Sequence, residues 1–340
     1  MASPEAHARE SAPSWARWAS LLVGAAALIA LVVTVRSVGL RAIVAQLRVI
    51  GWWFVPIVAL EVASAFADAA TIHGFLGVGG PRPGFLRVLQ AQVAGRAINL
   101  VTPMASLGEA TKATMLMREA SSRRAVAAIV RFNISYITVN LLVVLAGAPI
   151  CALVLPLPDW LTRLLWIGSA GCAALGGALI LLLRAGLLGT TIRAVRGLRL
   201  LSSATSVRLR ERLRELDHAL AGERGLRSWL PGVWVLVSKA LGWGIVWIVM
   251  YANGQPPSLG VLATLATAGN LVSIMANVVP MGIGLNEAGT AALMAALGEE
   301  ASLGVTTVLA RRVLQLCYAG LGLTLLASTE TVARRPAPHK

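Results

Sequence analysis

Two segments of matched design stand out: Asn99–Glu109, NLVTPMASLGE, and Asn277–Glu287, NVVPMGIGLNE. Each opens on Asn, breaks at a Pro (Pro103, Pro280), and closes on a Glu preceded by Gly108 or Gly284. A helix that begins at such a glycine presents free backbone N–H groups, which bind anions. The glycine also lets a headgroup come close to the backbone. Glu109 and Glu287 read in two ways: as acids placed against the positive end of a half-helix dipole, or as cation-binding or gating carboxylates. Both readings stay open on the residues alone. Gly282-Ile283-Gly284 is no dinucleotide fingerprint, since it lacks the preceding strand and the third glycine.

Each segment is followed by a long apolar stretch carrying an Arg near its start. Arg131, Ser135 and Thr138 fall on one helical stripe, and Arg311, Gln315 and Tyr318 repeat the same offsets. An Arg above hydrogen-bonding side chains suits a phosphate, because guanidinium offers a bidentate fork. The competing reading is an Arg snorkelling at a span end, the role that fits Arg312. Asn99, Asn277, Gly108, Gly284, Arg131 and Arg311 are therefore the candidate headgroup-binding set. A second polar stripe, Glu61, Ser64, Asp68 and Thr71, interrupts another apolar run, and Lys239 interrupts its counterpart. Ionisable residues at such positions are functional hypotheses by default. Glu61, Asp68 and Lys239 join Glu109 and Glu287 as candidates for gating or ion coupling. Glu61 and Lys239 occupy near-equivalent positions, either as an interhelical ion pair or as separate cavity-lining groups.

The elements that must position these residues are membrane helices. The chain is 57% hydrophobic and 13% charged, against roughly 25% charged in soluble domains. Its mean hydropathy is +0.74. The net charge of +15 collects in short loops, as membrane topology demands, so it does not point to nucleic acid. His7, His73, His218 and His339 are too scattered for a metal site, and Cys151, Cys172 and Cys317 lie in apolar runs at unrelated spacings. No Walker loop, GxSxG elbow or nucleophile–base set is present. The expectation is a non-enzyme with no cofactor.

The pattern predicts an all-α polytopic protein with about six full spans and two re-entrant helical hairpins. A polar tail (1–18) precedes a first uncleaved span (19–35) and an amphipathic interfacial helix (39–50) carrying Arg41 and Arg48. Further spans cover 52–75, 125–155, 161–183, 229–251 and 303–328. The hairpins lie at 85–117 around Pro103–Gly108 and at 259–297 around Pro280–Gly284. Residues 184–228 form a basic connector, read as a solvated link or an anionic-lipid-facing surface helix, and 329–340 a basic tail. Broken apolar segments in corresponding positions of two halves point to a midplane site. Repeat one covers about 52–155 and repeat two about 229–328. With both termini cytoplasmic, the basic loops fall inside. The first hairpin then enters from the cytoplasm and the second from the far side, which makes an inverted repeat. Arg36, Arg41 and Arg48 fall outside and strain this topology.

At these residues the chain resembles the lysylphosphatidylglycerol synthase transmembrane, flippase-like domain family. The resemblance rests on N-x-x-x-P-x-x-x-x-G-E (Asn99–Glu109) with Arg131, and on P-x-G-I-G-x-x-E (Pro280–Glu287) with Gly298 and Arg311. It covers about 19–328. The first motif departs from a common double-Gly form, having Leu107-Gly108-Glu109. The resemblance implies a translocase for phospholipids, aminoacylated lipids, hopanoids or polyprenyl carriers in a bacterial-type inner membrane. With the chain ending at Lys340, it implies the membrane part without an aminoacyl-transferase domain. The alternative is a non-transporting membrane subunit that anchors or regulates a lipid- or glycan-modifying enzyme.

Overall fold

A computed structural model of the chain describes residues 48–77, 82–101, 107–185, 229–276 and 284–333. The expected first span, the interfacial helix, the basic connector, both hairpin tips with Pro103 and Pro280, and Asn277 lie outside the described residues. Among the described residues the long elements are all helical: α1 (Phe54–Leu76), α2 (Phe85–Val101), α3 (Leu107–Leu116), α4 (Ser122–Val154), α5 (Asp159–Ala185), α6 (Val233–Ala252), α7 (Leu259–Ala276), α8 (Leu285–Ala296) and α9 (Ala301–Ala333). Single 3-10 turns at Gly51–Trp53 and Leu230–Gly232 lead into α1 and α6.

Among the described residues, five stretches are long and apolar enough to cross a membrane: Arg48–Leu76, Ser122–Val154, Asp159–Leu181, Leu230–Ala252 and Leu259–Ala276. Four coincide with expected spans. The fifth, α7, was expected as one arm of a hairpin, yet its 18 residues reach about 27 Å at 1.5 Å per residue. The long helix α9 is not in this set, which covers the described residues alone; its sequence carries Arg311, Arg312 and Gln315 before a further apolar run. The helices are apolar nearly all round. Val55, Leu142, Leu153, Val154, Ile167 and Leu259 are exposed, as expected where lipid rather than water is the solvent.

At the centre α1 packs along α6. Their chains run antiparallel, since Ser64 meets Ser238 while Trp53 meets Tyr251 at the other end. The same partnerships occur in two sets. In the first, α2 packs on α3 and α3 on α4; in the second, α7 packs on α8 and α8 on α9. Across the sets, α2 lies against α9 and α7 against α4. The helix α5 packs on the outside of α4, with Leu161, Leu165 and Cys172 sharing a buried cluster with Leu141, Val144 and Ala148.

Small residues make these contacts close, the usual device where helices associate without a hydrophobic driving force. A Cβ at Gly304 would come within 2.7 Å of the α8 backbone at Thr290 and Ala291. Backbone cannot swing aside as a side chain can. Gly171 on α5 faces open space. Gly304→Ala should therefore cost about 1–3 kcal/mol from overpacking, while Gly171→Ala should leave stability level or slightly raised. Thermal unfolding of both variants in one detergent checks this; equal melting temperatures would mean that α8 and α9 are not in contact.

Candidate functional site

Asn99 and Glu109 face each other across the break between α2 and α3. The Asn99 amide donates to Glu109 Oε1 at 2.9 Å, and its carbonyl oxygen accepts the Gly108 N–H at 2.8 Å. Gly95 and Gly108 let the two helices touch, since a Cβ on either would strike the other's carbonyl oxygen. The two helices run antiparallel, because Gly95 lies beside Lys112 while Asn99 lies beside Gly108. Glu109 takes two further bonds, from Lys112 Nζ at 2.8 Å and from Asn133 Nδ2 of α4 at 3.0 Å. Lys112 is buried and also sits 5.0 Å from the Phe132 ring centre. The carboxylate thus ties three helices together.

Glu287 does the corresponding work with other partners. Its Oε2 accepts the Gly284 N–H at 2.8 Å, where Gly284 has a φ of 84°, a backbone that disfavours other residues. Its other oxygen pairs with Arg312 at 2.6 Å. The N–H groups of Gly108 and Gly284, expected to face an anion, are therefore taken by the protein's own side chains. The two adjacent arginines of α9 have different surroundings. Arg312, read as the snorkelling neighbour, is 3% exposed and bound to Glu287. Arg311 is exposed.

The remaining charges gather around α1. Glu61 pairs with Arg96 of α2, and Arg96 lies 4.9 Å from the Tyr318 ring centre. Asp68 accepts a hydrogen bond from Gln92 at 3.1 Å. Ser64 and Ser238 share one at 2.9 Å, and Thr71 turns back to the Ala67 carbonyl. Lys239 donates to the Tyr136 hydroxyl at 2.8 Å and stands over its ring at 4.0 Å. Glu61 and Lys239 each have a different partner, so the separate arrangement is the one observed. Arg311 shares the electrostatic field of Glu61, Arg96 and Tyr136, and Asp68 that of Arg96, Lys112 and Lys239. Arg131 is buried, with Ser135 beneath it, whereas Thr138 is exposed.

Acids and bases in this cluster do not balance. Glu61 cancels Arg96, and Glu109 cancels Lys112. Asp68 is left facing Lys239, while Arg311 lies in the field of Glu61 and Arg96. Such an arrangement can hold an anion at its cationic edge. No group of three or more His, Cys, Asp or Glu able to hold a metal occurs among the described residues. Two surface clefts, of roughly 800 and 360 Å³, lie elsewhere. The larger is lined by Pro156, Pro158, Trp160 and apolar neighbours, and carries no chemistry.

The sequence reading had missed Gln92, Arg96, Lys112, Asn133 and Tyr136. A signal existed for three of them: Gln92 and Arg96 fall on one stripe of α2 with Asn99 at helical offsets, and Lys112 stands three residues after Glu109.

The model of the lysylphosphatidylglycerol synthase TM region matches residues 17–322. The chain belongs to that family. No curated relative and no solved structure matches it. Membership agrees with the apolar helices: this is a multi-pass membrane protein with a lipid-related membrane domain.

The Glu287–Arg312 pair gives a sharp test. Removing one member of a buried pair typically costs about 3–5 kcal/mol, while replacing both with apolar groups can be nearly neutral. Glu287→Leu and Arg312→Leu should each lower the melting temperature more than the double variant does. Additive losses would mean that the two side chains do not meet in the membrane.

Proposed function

We propose that this chain translocates an anionic lipid, of the phospholipid, polyprenyl-phosphate or hopanoid-type class, by alternating access. The observation that carries the reading is the cationic edge of the central cluster. Lys239 and Arg311 form no ion pair among the described residues, and they sit beside a buried acid–base network between helices of membrane length. A phosphate headgroup supplies the missing negative charge, and its tails stay in the bilayer. The guanidinium of Arg311 suits a two-oxygen grip, with Lys239 as a point charge held ready by Tyr136. Arg131 supports the wall of the site rather than its open edge, because it is buried.

The architecture in this reading is an inverted repeat, α1–α4 against α6–α9. The antiparallel α1 and α6 and the paired contacts of the two sets support it. The α2–α3 and α7–α8 pairs are then re-entrant hairpins whose tips meet near the membrane centre. Re-entrant backbone is tolerated where it is buried in protein, and the bonds of Asn99 to Gly108 and Glu109 provide such cover. Both termini lie in the cytoplasm of a bacterial-type inner membrane. Rocking of one set against the other about α1 and α6 exposes the cationic edge to each leaflet in turn.

Losing a hydrogen bond to a charged group costs about 1.5–3 kcal/mol, roughly ten- to a hundredfold in binding. Arg311→Ala and Lys239→Ala should each lower the rate of fluorescent anionic lipid movement in proteoliposomes by about that factor, with folded protein still in the membrane. Normal movement in both variants would place the site elsewhere. If the wild-type protein moves no lipid, the reading as an anchoring subunit for a lipid- or glycan-modifying enzyme takes its place.

A further inference from the structure

At the centre of the cluster one carboxyl is bonded on one side only. Asp68 is 5% exposed and Gln92 2%. Gln92 Nε2 donates to Asp68 Oδ2, but Asp68 Oδ1 and Gln92 Oε1 are both buried without a hydrogen-bond partner among the described residues. Both orphans are acceptors. A carboxylate facing a carboxamide receives one hydrogen bond and can return none, whereas a carboxylic acid receives one and returns one. A single proton on Oδ1 would supply the donor that the Gln92 carbonyl lacks. A second orphan lies one turn along α2: Arg96 has one terminal nitrogen on Glu61, while the other is buried with no hydrogen-bond partner. An ionised Asp68 would be an acceptor for it.

We propose that Asp68 is a proton-binding site with two bonded states. Protonated, it closes a two-bond pair with Gln92 and leaves Arg96 to Glu61. Ionised, it draws Arg96 toward itself and loosens the Glu61–Arg96 bridge between α1 and α2. The proton comes from and returns to water, and no other bond is made or broken. The groups that face Asp68 are Arg96 from α2, Lys112 from α3, and Lys239 with the Ser238 hydroxyl from α6. Through Glu61 and Arg96 the same field reaches Tyr136 of α4 and Arg311 and Tyr318 of α9. Three facing cations favour the ionised form, and burial favours the protonated one. They also disfavour a metal cation such as Na⁺ in the same place. The proposal rests on the translocase reading in one respect, that the proton is exchanged as lipid moves. With Asp68 protonated, Lys239 no longer faces its negative charge, and an anion at the cationic edge is held more tightly. Protonation and headgroup binding then favour each other, as linkage requires.

Infrared difference spectra of the full-length protein in nanodiscs, recorded through a pH titration, test the proton site without any lipid movement. The wild type should show a carboxylic-acid carbonyl band that titrates, and Asp68→Asn should lack it. An identical titrating band in Asp68→Asn overturns the proposal. Should Asp68→Asn fail to fold, Gln92→Leu takes its place. It keeps the carboxyl but removes its partner, so the band must shift and its midpoint must move; an unmoved band and midpoint overturn the proposal equally. In proteoliposomes carrying a fluorescent anionic lipid, an imposed pH gradient should change the wild-type rate several-fold, and the ratio should fall to one in Asp68→Asn. A gradient response that survives in Asp68→Asn, or a wild-type ratio of one, removes the coupling. A titrating Asp68 band in a protein that moves no lipid leaves the proton site standing and removes the translocase reading.

Discussion

The structure depends on one constraint: a polar group placed among apolar helices must find its partner inside the protein. Lipid cannot supply one, and an unmatched charge there is costly. Glu109 meets the constraint in its fullest form, with Asn99, Lys112 and Asn133 on its two oxygens. Those bonds fix where α3 sits against α2 and α4. The same demand explains why polar side chains here form chains across helices rather than isolated pairs. Glu61, Arg96 and Tyr318 are one such chain, and Ser64 with Ser238 closes the space between α1 and α6.

The two sets of helices meet this demand at the same place with different residues. Glu109 and Glu287 each stand at the start of a short helix and tie it to the long helix that follows. The first uses an amide from Asn133, and the second a guanidinium from Arg312. The second tie is an ion pair with one fully buried member, while the first is a hydrogen bond from a neutral amide to the carboxylate, backed by a local lysine. A shared geometry with unlike chemistry leaves the halves electrostatically distinct. The spare positive charge then gathers on one side of the central helices, where Lys239 and Arg311 lie.

Much of this was legible in the residues, and the failures have physical causes. Helical class, the spans from α1, α4, α5 and α6, and the importance of the Asn-to-Glu segments follow from hydropathy and spacing. The choice between Arg311 and Arg312 does not. Adjacent residues on a helix point about 100° apart, and which one turns inward is decided by where Glu287 stands on another helix. Glu61 posed the same problem. Its spacing matched Lys239, but Arg96 on a neighbouring helix lies nearer and takes the carboxylate. Gln92 and Arg96 share a stripe with Asn99 that period alone displays, although period alone does not say which acid each would meet. Lys112, three residues after Glu109, was within reach of the same spacing argument.

The division of labour among the charges follows from how each is paired. Glu109 and Glu287 are saturated by neighbours and serve as fixed points, so they are poorly suited to gating, which requires a bond that can be exchanged. Glu61 and Asp68 are different, because both lie within the field of Arg96, and one guanidinium can favour either. Exchange of that kind costs little, since the total number of charged contacts is conserved while their position moves by two turns of α1. A helix boundary that shifts a bond without losing one is what a rocking motion about α1 and α6 requires. In the proposed switch Lys239 senses the state of Asp68 through charge alone, with no contact needed between them.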